Sequence, residues 1–109
     1  MASETALTLE DRRKHIYTIL AAICPNVYYE PPTGQQIKYP CIIYRRSSLN
    51  KKRANGKIYG YNVQFELTLI SKKTEENDMF DQLLNLDYCS FDRHYTSDNL
   101  NHDSFSLYF

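Results

Sequence analysis

Tryptophan is absent from this chain of 109 residues, and glycine, proline and cysteine are scarce, at three, four and three copies. Three glycines leave little material for a phosphate-cradling loop. The stretch PPTGQQ, residues 31–36, lacks both the glycine spacing and the Lys-Ser/Thr ending by which backbone amides hold a phosphate. Cys24, Cys41 and Cys89 are odd in number, widely spaced and flanked by apolar residues, which points to reduced, buried thiols rather than a disulfide framework or a zinc site. No G-x-S-x-G element is present, and Cys41 follows Pro40 within an apolar run, where desolvation disfavours the nucleophilic thiolate. Enzyme is therefore the weakest class, and no cofactor is expected. No apolar run approaches the roughly 20 residues a membrane helix needs. The start, MASETALTLEDRRKH, has no basic segment followed by an apolar block, so no secretory signal is read there and a cytosolic setting is expected.

What the chain has in quantity is ten tyrosines and five phenylalanines, residues that suit half-buried pleated surfaces. The length fits one domain, residues 1–109, with 1–7 expected to be flexible. In TLEDRRKHIYTILAAIC, Leu9, Ile16, Leu20 and Ile23 recur at helical spacing with Ile19 alongside. Thr8 can cap this helix, Asp11 suits its positive end, and Pro25 is expected to stop it. VYYE reads as a short strand and PPTGQQ as an exposed loop. YPCIIYRR, residues 39–46, reads as a buried strand that turns basic as it leaves the core.

In IYGYNVQFELTLIS, residues 58–71, Tyr61, Val63, Phe65, Leu67 and Leu69 alternate with Asn62, Gln64, Glu66 and Thr68, the signature of a strand with one face buried. Asn55-Gly56 marks a tight turn between this strand and the one before it, so the two form an antiparallel hairpin with a long arm, residues 47–57, expected to project as a loop. After KKTEEN, the segment DMFDQLLNL reads as a second, short helix capped by Asn77 or Asp78. YCSFDRHY and DSFSLYF close the chain as strands around a polar loop, TSDNLNH. The expected fold class is α+β, a mainly antiparallel sheet with both helices on one face and a long basic hairpin arm. Tyr28, Tyr29, Tyr59 and Tyr108 have no evident core face.

Charge is where function shows itself. His94 and His102 lie near Asp92, Asp98 and Asp103, but a solvated polar loop accounts for them more simply than a metal site. His15, between basic neighbours on the first helix, reads as a surface residue. By contrast, Arg45, Arg46, Lys51, Lys52, Arg53 and Lys57 bring six positive charges and no negative one to residues 45–57, in a chain whose formal net charge is zero. Residues 66–109 hold nine Asp and Glu against Lys72, Lys73 and Arg93. One reading is a nucleic-acid-binding module, with these six residues on phosphates. Against it, no aromatic sits inside the run to stack bases, and the overall charge is neutral. The other reading sets the basic arm of one copy against the acidic part of the next, a head-to-tail contact that can close into a ring. The plainest reading is a solvated loop kept charged for solubility.

The P-x-I-x-Y element within Tyr39 to Tyr44, the strand Tyr61 to Ser71 and the acidic helix start ENDMFDQLL follow an N-terminal helix and precede two final strands. This layout, over nearly the whole chain, resembles the tail terminator (tail completion) proteins of long-tailed bacteriophages. The resemblance implies a small α+β subunit that is not an enzyme. It implies a ring, commonly a hexamer, that caps the finished tail tube, ends its polymerisation and faces the head-tail connector. It places the protein in the virion, at the tail-neck junction, after assembly in a bacterial host cytoplasm. The partners implied are other copies of itself, the tail tube protein and the connector, with non-specific contact to DNA passing the channel. The arm from Ser47 to Lys57 would point to a neighbouring subunit, the tube or the channel. Other neck and head-tail joining proteins share this size and order.

Overall fold

The computed structural model describes residues 8–72 and 78–109, apart from the side chains of 58 and 59. The expected flexible start, 1–7, and the expected cap Asn77 lie outside the described residues. Helix α1, Leu9–Ala21, begins with a capping box, in which the Asp11 amide donates to Thr8 Oγ1 at 3.0 Å and the Thr8 amide donates to Asp11 Oδ2 at 3.2 Å. It does not run on to Pro25 as expected. The Ile23 and Cys24 amides both donate to the Leu20 carbonyl, each at 2.9 Å, and this tightened turn closes the helix at Ala21.

Five strands follow in the expected order, interrupted by one short helix: β1 (Val27–Tyr29), β2 (Cys41–Ala54), β3 (Lys57–Lys72), α2 (Met79–Leu84), β4 (Cys89–Ser97) and β5 (Leu100–Tyr108). They form one sheet in the order β1-β2-β3-β5-β4, in which the β1/β2 pair is parallel and the other pairs antiparallel. The fold is therefore α+β with a mainly antiparallel sheet. Asp78 occupies the N-cap position of α2 but makes no side-chain capping bond. The polar loop expected at 96–102 shrinks to Asp98-Asn99, both at positive φ (54° and 61°), and the strands pair through to Ser97 and Leu100.

Alternation along β3 decides which face is the core. Val63, Phe65, Leu67 and Leu69 are all buried, and register places Leu69 beside Ile42, Leu67 between Tyr44 and Phe105, and Phe65 beside Leu107. Ile16 and Leu20 from α1 and Leu83 from α2 complete this cluster, so both helices cover the same face. Phe80, Phe91 and Phe105 meet with ring centroids 5.4–5.5 Å apart and pin α2 to β4 and β5. Tyr29 packs its ring 4.9 Å from that of Tyr44, beneath the Arg13 guanidinium.

The opposite face is polar, and a chain of hydrogen bonds crosses four strands of it. Ser48 Oγ donates to Gln64 Oε1 (2.9 Å), Gln64 Nε2 to Ser106 Oγ (3.1 Å), and Ser106 Oγ to Asp92 Oδ2 (2.6 Å). No helix among the described residues is long and apolar enough to cross a membrane.

Candidate functional site

Strand β5 accompanies β3 only between Lys72 and Gln64, with one further pair of bonds joining Val63 and Phe109. Beyond that point β2 and β3 continue alone. The arm expected as a loop over 47–57 is thus a two-stranded ribbon, paired from Ser48↔Gln64 to Ala54↔Lys57, and it gives the molecule its 53 Å long dimension against 24 and 23 Å. The reason lies in its tip: Asn55 and Gly56 take φ of 54° and 76°, the two positive values of a two-residue turn whose twist matches that of the flanking strands. With the turn so specified, polar residues that would otherwise favour a loop are held in register.

Two irregularities set the faces of this ribbon. Ser47 is an extra residue between the pairs Arg46↔Phe65 and Ser48↔Gln64, and Tyr59 is an extra residue between Lys52↔Gly60 and Arg53↔Ile58. After the first bulge, Leu49, Lys51 and Arg53 share the face of Val63 and Tyr61. Ser48, Asn50, Lys52 and Lys57 share the other face with Asn62 and Gln64. Plain alternation from Tyr44 would give the reverse for Leu49 through Arg53. Leu49 is 41% exposed although it stands opposite the buried Val63.

The six cations do not form one patch. Arg45 is paired on the sheet surface: its Nε lies 3.0 Å from Glu66 Oε1, its cross-strand neighbour, and that hydrogen bond and charge push the guanidinium pKa upward. Arg46 lies at the root of the ribbon on the helix side, lining a shallow hollow with Glu10, Arg13 and Tyr29. Lys51, Lys52, Arg53 and Lys57 occupy the projecting half, all exposed, and no carboxylate among the described residues pairs with any of them. Arg53 Nη1 reaches only the Gly56 carbonyl at 3.5 Å.

Acidic groups lie away from the projecting half of the ribbon, with Asp87 on a hollow at its root. Asp98 caps the β4–β5 turn at the end of the sheet away from the ribbon, and Asp78 and Asp81 are exposed on α2. Asp103 is taken up by His94, whose Nδ1 lies 2.7 Å from its Oδ1, and Asp92 by Ser106. The charge polarity therefore persists between the basic ribbon and Asp78, Asp81 and Asp98, which have no ion-pair partner among the described residues, once the internal pairs are set aside.

At the root of the ribbon two adjoining hollows share Tyr88, Tyr108 and Phe109. One, of about 330 Å³, also includes Lys52 and Asn62; the other, of about 320 Å³, is more apolar and reaches Ile19 and Leu86. His15 is exposed on α1, as expected, and stacks on Phe109 with centroids 4.5 Å apart, so it borders this aromatic group. Arg12 locks the same corner: its Nη1 donates to the Phe109 carbonyl at 2.6 Å, and its guanidinium lies 4.5 Å from the Tyr61 ring centroid. Sequence reading passed over Tyr88 because nothing marks it except an unusual backbone; its φ is +59° and its side chain is 80% exposed.

The remaining chemically active groups are quiet. Cys24 and Cys41 are buried free thiols, and Cys89 is half-buried. Burial pushes the Cys41 thiol up to about 12 and the Cys89 thiol to about 11. Among the described residues no group of three or more His, Cys, Asp or Glu is gathered to hold a metal ion. His94 pairs with Asp103, while His102 stacks on Tyr95, so the two histidines have different partners. A scan against protein-family models finds none that matches this chain, and a search of curated proteins finds no match either.

Proposed function

We propose that this chain is a structural assembly protein of a long-tailed bacteriophage, a tail terminator subunit that closes into a ring, commonly a hexamer, on the finished tail tube. It works by shape and contact, without turnover or a cofactor, at the tail-neck junction of the virion. Its partners are copies of itself, the tail tube protein and the head-tail connector.

The observation that carries this reading is the ribbon. A two-stranded arm is marginal on its own in water, and this one carries an exposed Leu49 on the same face as Lys51 and Arg53, neither of which pairs with a carboxylate among the described residues. An apolar side chain ringed by charge has the composition of a protein contact, in which the apolar centre supplies burial and the rim supplies orientation. The carboxylates Asp78, Asp81 and Asp98 supply complementary charge for a head-to-tail contact. Such a contact repeats around a ring when the rotation closes. The resemblance of chain order to tail terminators supplies the rest: a small α+β subunit with a projecting arm.

The test is the native mass of the purified protein by light scattering at low and high salt, followed by electron microscopy with tail tubes added. The expected result is a discrete oligomer or a cap on the tube ends, either of them lost in a Lys51→Glu, Arg53→Glu variant. A protein that stays monomeric and never caps a tube would overturn the proposal.

A further inference from the structure

We propose that the Lys52 and Lys57 face of the ribbon, together with the tyrosines at its root, forms a binding site for single-stranded nucleic acid. This goes beyond the assembly role and uses the other face of the ribbon, so the two do not compete for Leu49, Lys51 or Arg53. One objection to nucleic acid, beside the neutral overall charge, is that no aromatic residue lies within the basic run. The fold removes it. Tyr88 and Tyr108, distant in the chain, border the same hollow of about 330 Å³ as Lys52 and Asn62.

Three features make this hollow suit a base and its phosphates. Tyr88 is 80% exposed and Tyr108 is 45% exposed, so both present ring surface to solvent. Tyr88 also holds a left-handed backbone, φ +59°, that a bulky residue seldom adopts, and the Tyr108 amide fixes it there by donating to the Tyr88 carbonyl at 3.0 Å. Packing does not explain a strained residue whose ring is left outside the core. Leading away from the rings, Lys52 and Lys57 share one face of the ribbon with the amides of Asn50 and Asn62, and no carboxylate among the described residues pairs with either lysine. Asp87, on the neighbouring hollow, repels phosphate from that side and favours a path along the ribbon.

Stacking on a flat ring is available to any base but only when the base is unstacked from its own strand, and lysines spaced along a ribbon follow a phosphate backbone. A duplex offers this site its phosphates but hides its base faces. Single strands are therefore the ligand class.

The test uses the full chain and a fluorescein-labelled oligothymidylate of about ten nucleotides, within the range covered by small single-strand-binding sites. Anisotropy is read from about 50 mM salt upward. Because the chain has no tryptophan, quenching of tyrosine emission reports stacking directly. Expected results are tighter binding of the single strand than of a duplex of equal length, by about ten-fold or more, with quenching on binding. Tyr88→Ala and Tyr108→Ala should each weaken binding by about 5- to 150-fold without changing the salt slope, while Tyr88→Phe retains affinity. Tyr88→Asn, whose backbone tolerates the left-handed region, should lose affinity while the protein keeps its melting temperature, which separates lost stacking from lost folding. Lys52→Ala and Lys57→Ala should each make the salt slope shallower by about 0.7. Equal affinity for duplex and single strand, unchanged binding in Tyr88→Asn, or no binding at 50 mM salt would each overturn the proposal.

Discussion

Replacing Gly56 by alanine tests whether the ribbon is a rigid part of the body or an independently ordered arm. Gly56 has φ +76°, and a Cβ added there meets no atom of the described residues within 4 Å, so the cost is one of backbone conformation. Placing an L-residue in the left-handed region costs about 1–2 kcal/mol. The tip lies beyond the point where β5 leaves β3 at Val63 and pairs only within the ribbon, so this penalty should fall on local opening of the ribbon and not on global unfolding. The equilibrium for opening the tip then shifts by roughly 5- to 30-fold. Amide hydrogen exchange at residues 51–57 should speed up by that factor, while the melting temperature followed by circular dichroism moves by less than about 2 °C. Were the same penalty felt by the whole domain, the melting temperature would fall by about 4–8 °C per kcal/mol. A fall of that size refutes the independent arm, and unchanged exchange refutes the requirement for positive φ at the turn.

Phe105→Ala removes the ring shared by Phe80 and Phe91 from a fully buried site, and should cost about 3–5 kcal/mol in urea unfolding, most of it from the cavity. Glu66→Gln should cost under about 1 kcal/mol, because its ion pair with Arg45 is largely exposed, while freeing a fifth cation next to the arm and strengthening any salt-sensitive contact it makes. Thr8→Ala should cost about 1 kcal/mol of stability in the same urea assay. Its partner Asp11 is held below the ordinary 3.8 by hydrogen bonds from Thr8, so the capping box contributes above that pH and is lost as pH falls through the lower folded value. A pH series between 2 and 5 comparing the parent with Asp11→Asn by circular dichroism should show the difference vanish at the acid end. At the alkaline end the sign reverses: with Cys41 and Cys89 raised to about 12 and about 11 from 9.0, the unfolded chain loses its thiol protons first, and the melting temperature should fall as pH rises from 9 to 11.

Most of the body was legible because its signals are local. Alternation over Val63 to Leu69, the capping pair Thr8 and Asp11, and the Asn55-Gly56 dipeptide each specify geometry within a few residues, and each took the expected form. The misreadings share a cause. Residues 47–54 look like a loop because they are polar, yet pairing with β3 holds them as a strand; TSDNLNH looks like a loop for the same reason, yet only Asp98 and Asn99 turn. The early end of α1 rests on bonds to the Leu20 carbonyl that no proline announces. The candidate site was legible as a charge run but not as a surface. Which lysines share a face depends on bulges at Ser47 and Tyr59, and the pairing of Arg45 with Glu66 or the approach of Tyr88 to Lys52 depends on strands brought together from across the chain.

The bulge at Ser47 also separates two properties that are usually tied together. Because Ser47 is the surplus residue, deleting it leaves the pairs Arg46↔Phe65 and Ser48↔Gln64 adjacent and every later residue opposite its present partner. What disappears is the local bend and added twist that a bulge imposes. The arm would keep its chemistry, side by side and face by face, and change only where it is aimed. Direction is thus encoded in one small residue at the root of the ribbon and composition in the residues beyond it, so the loss of a single codon would re-aim the arm while leaving its faces intact.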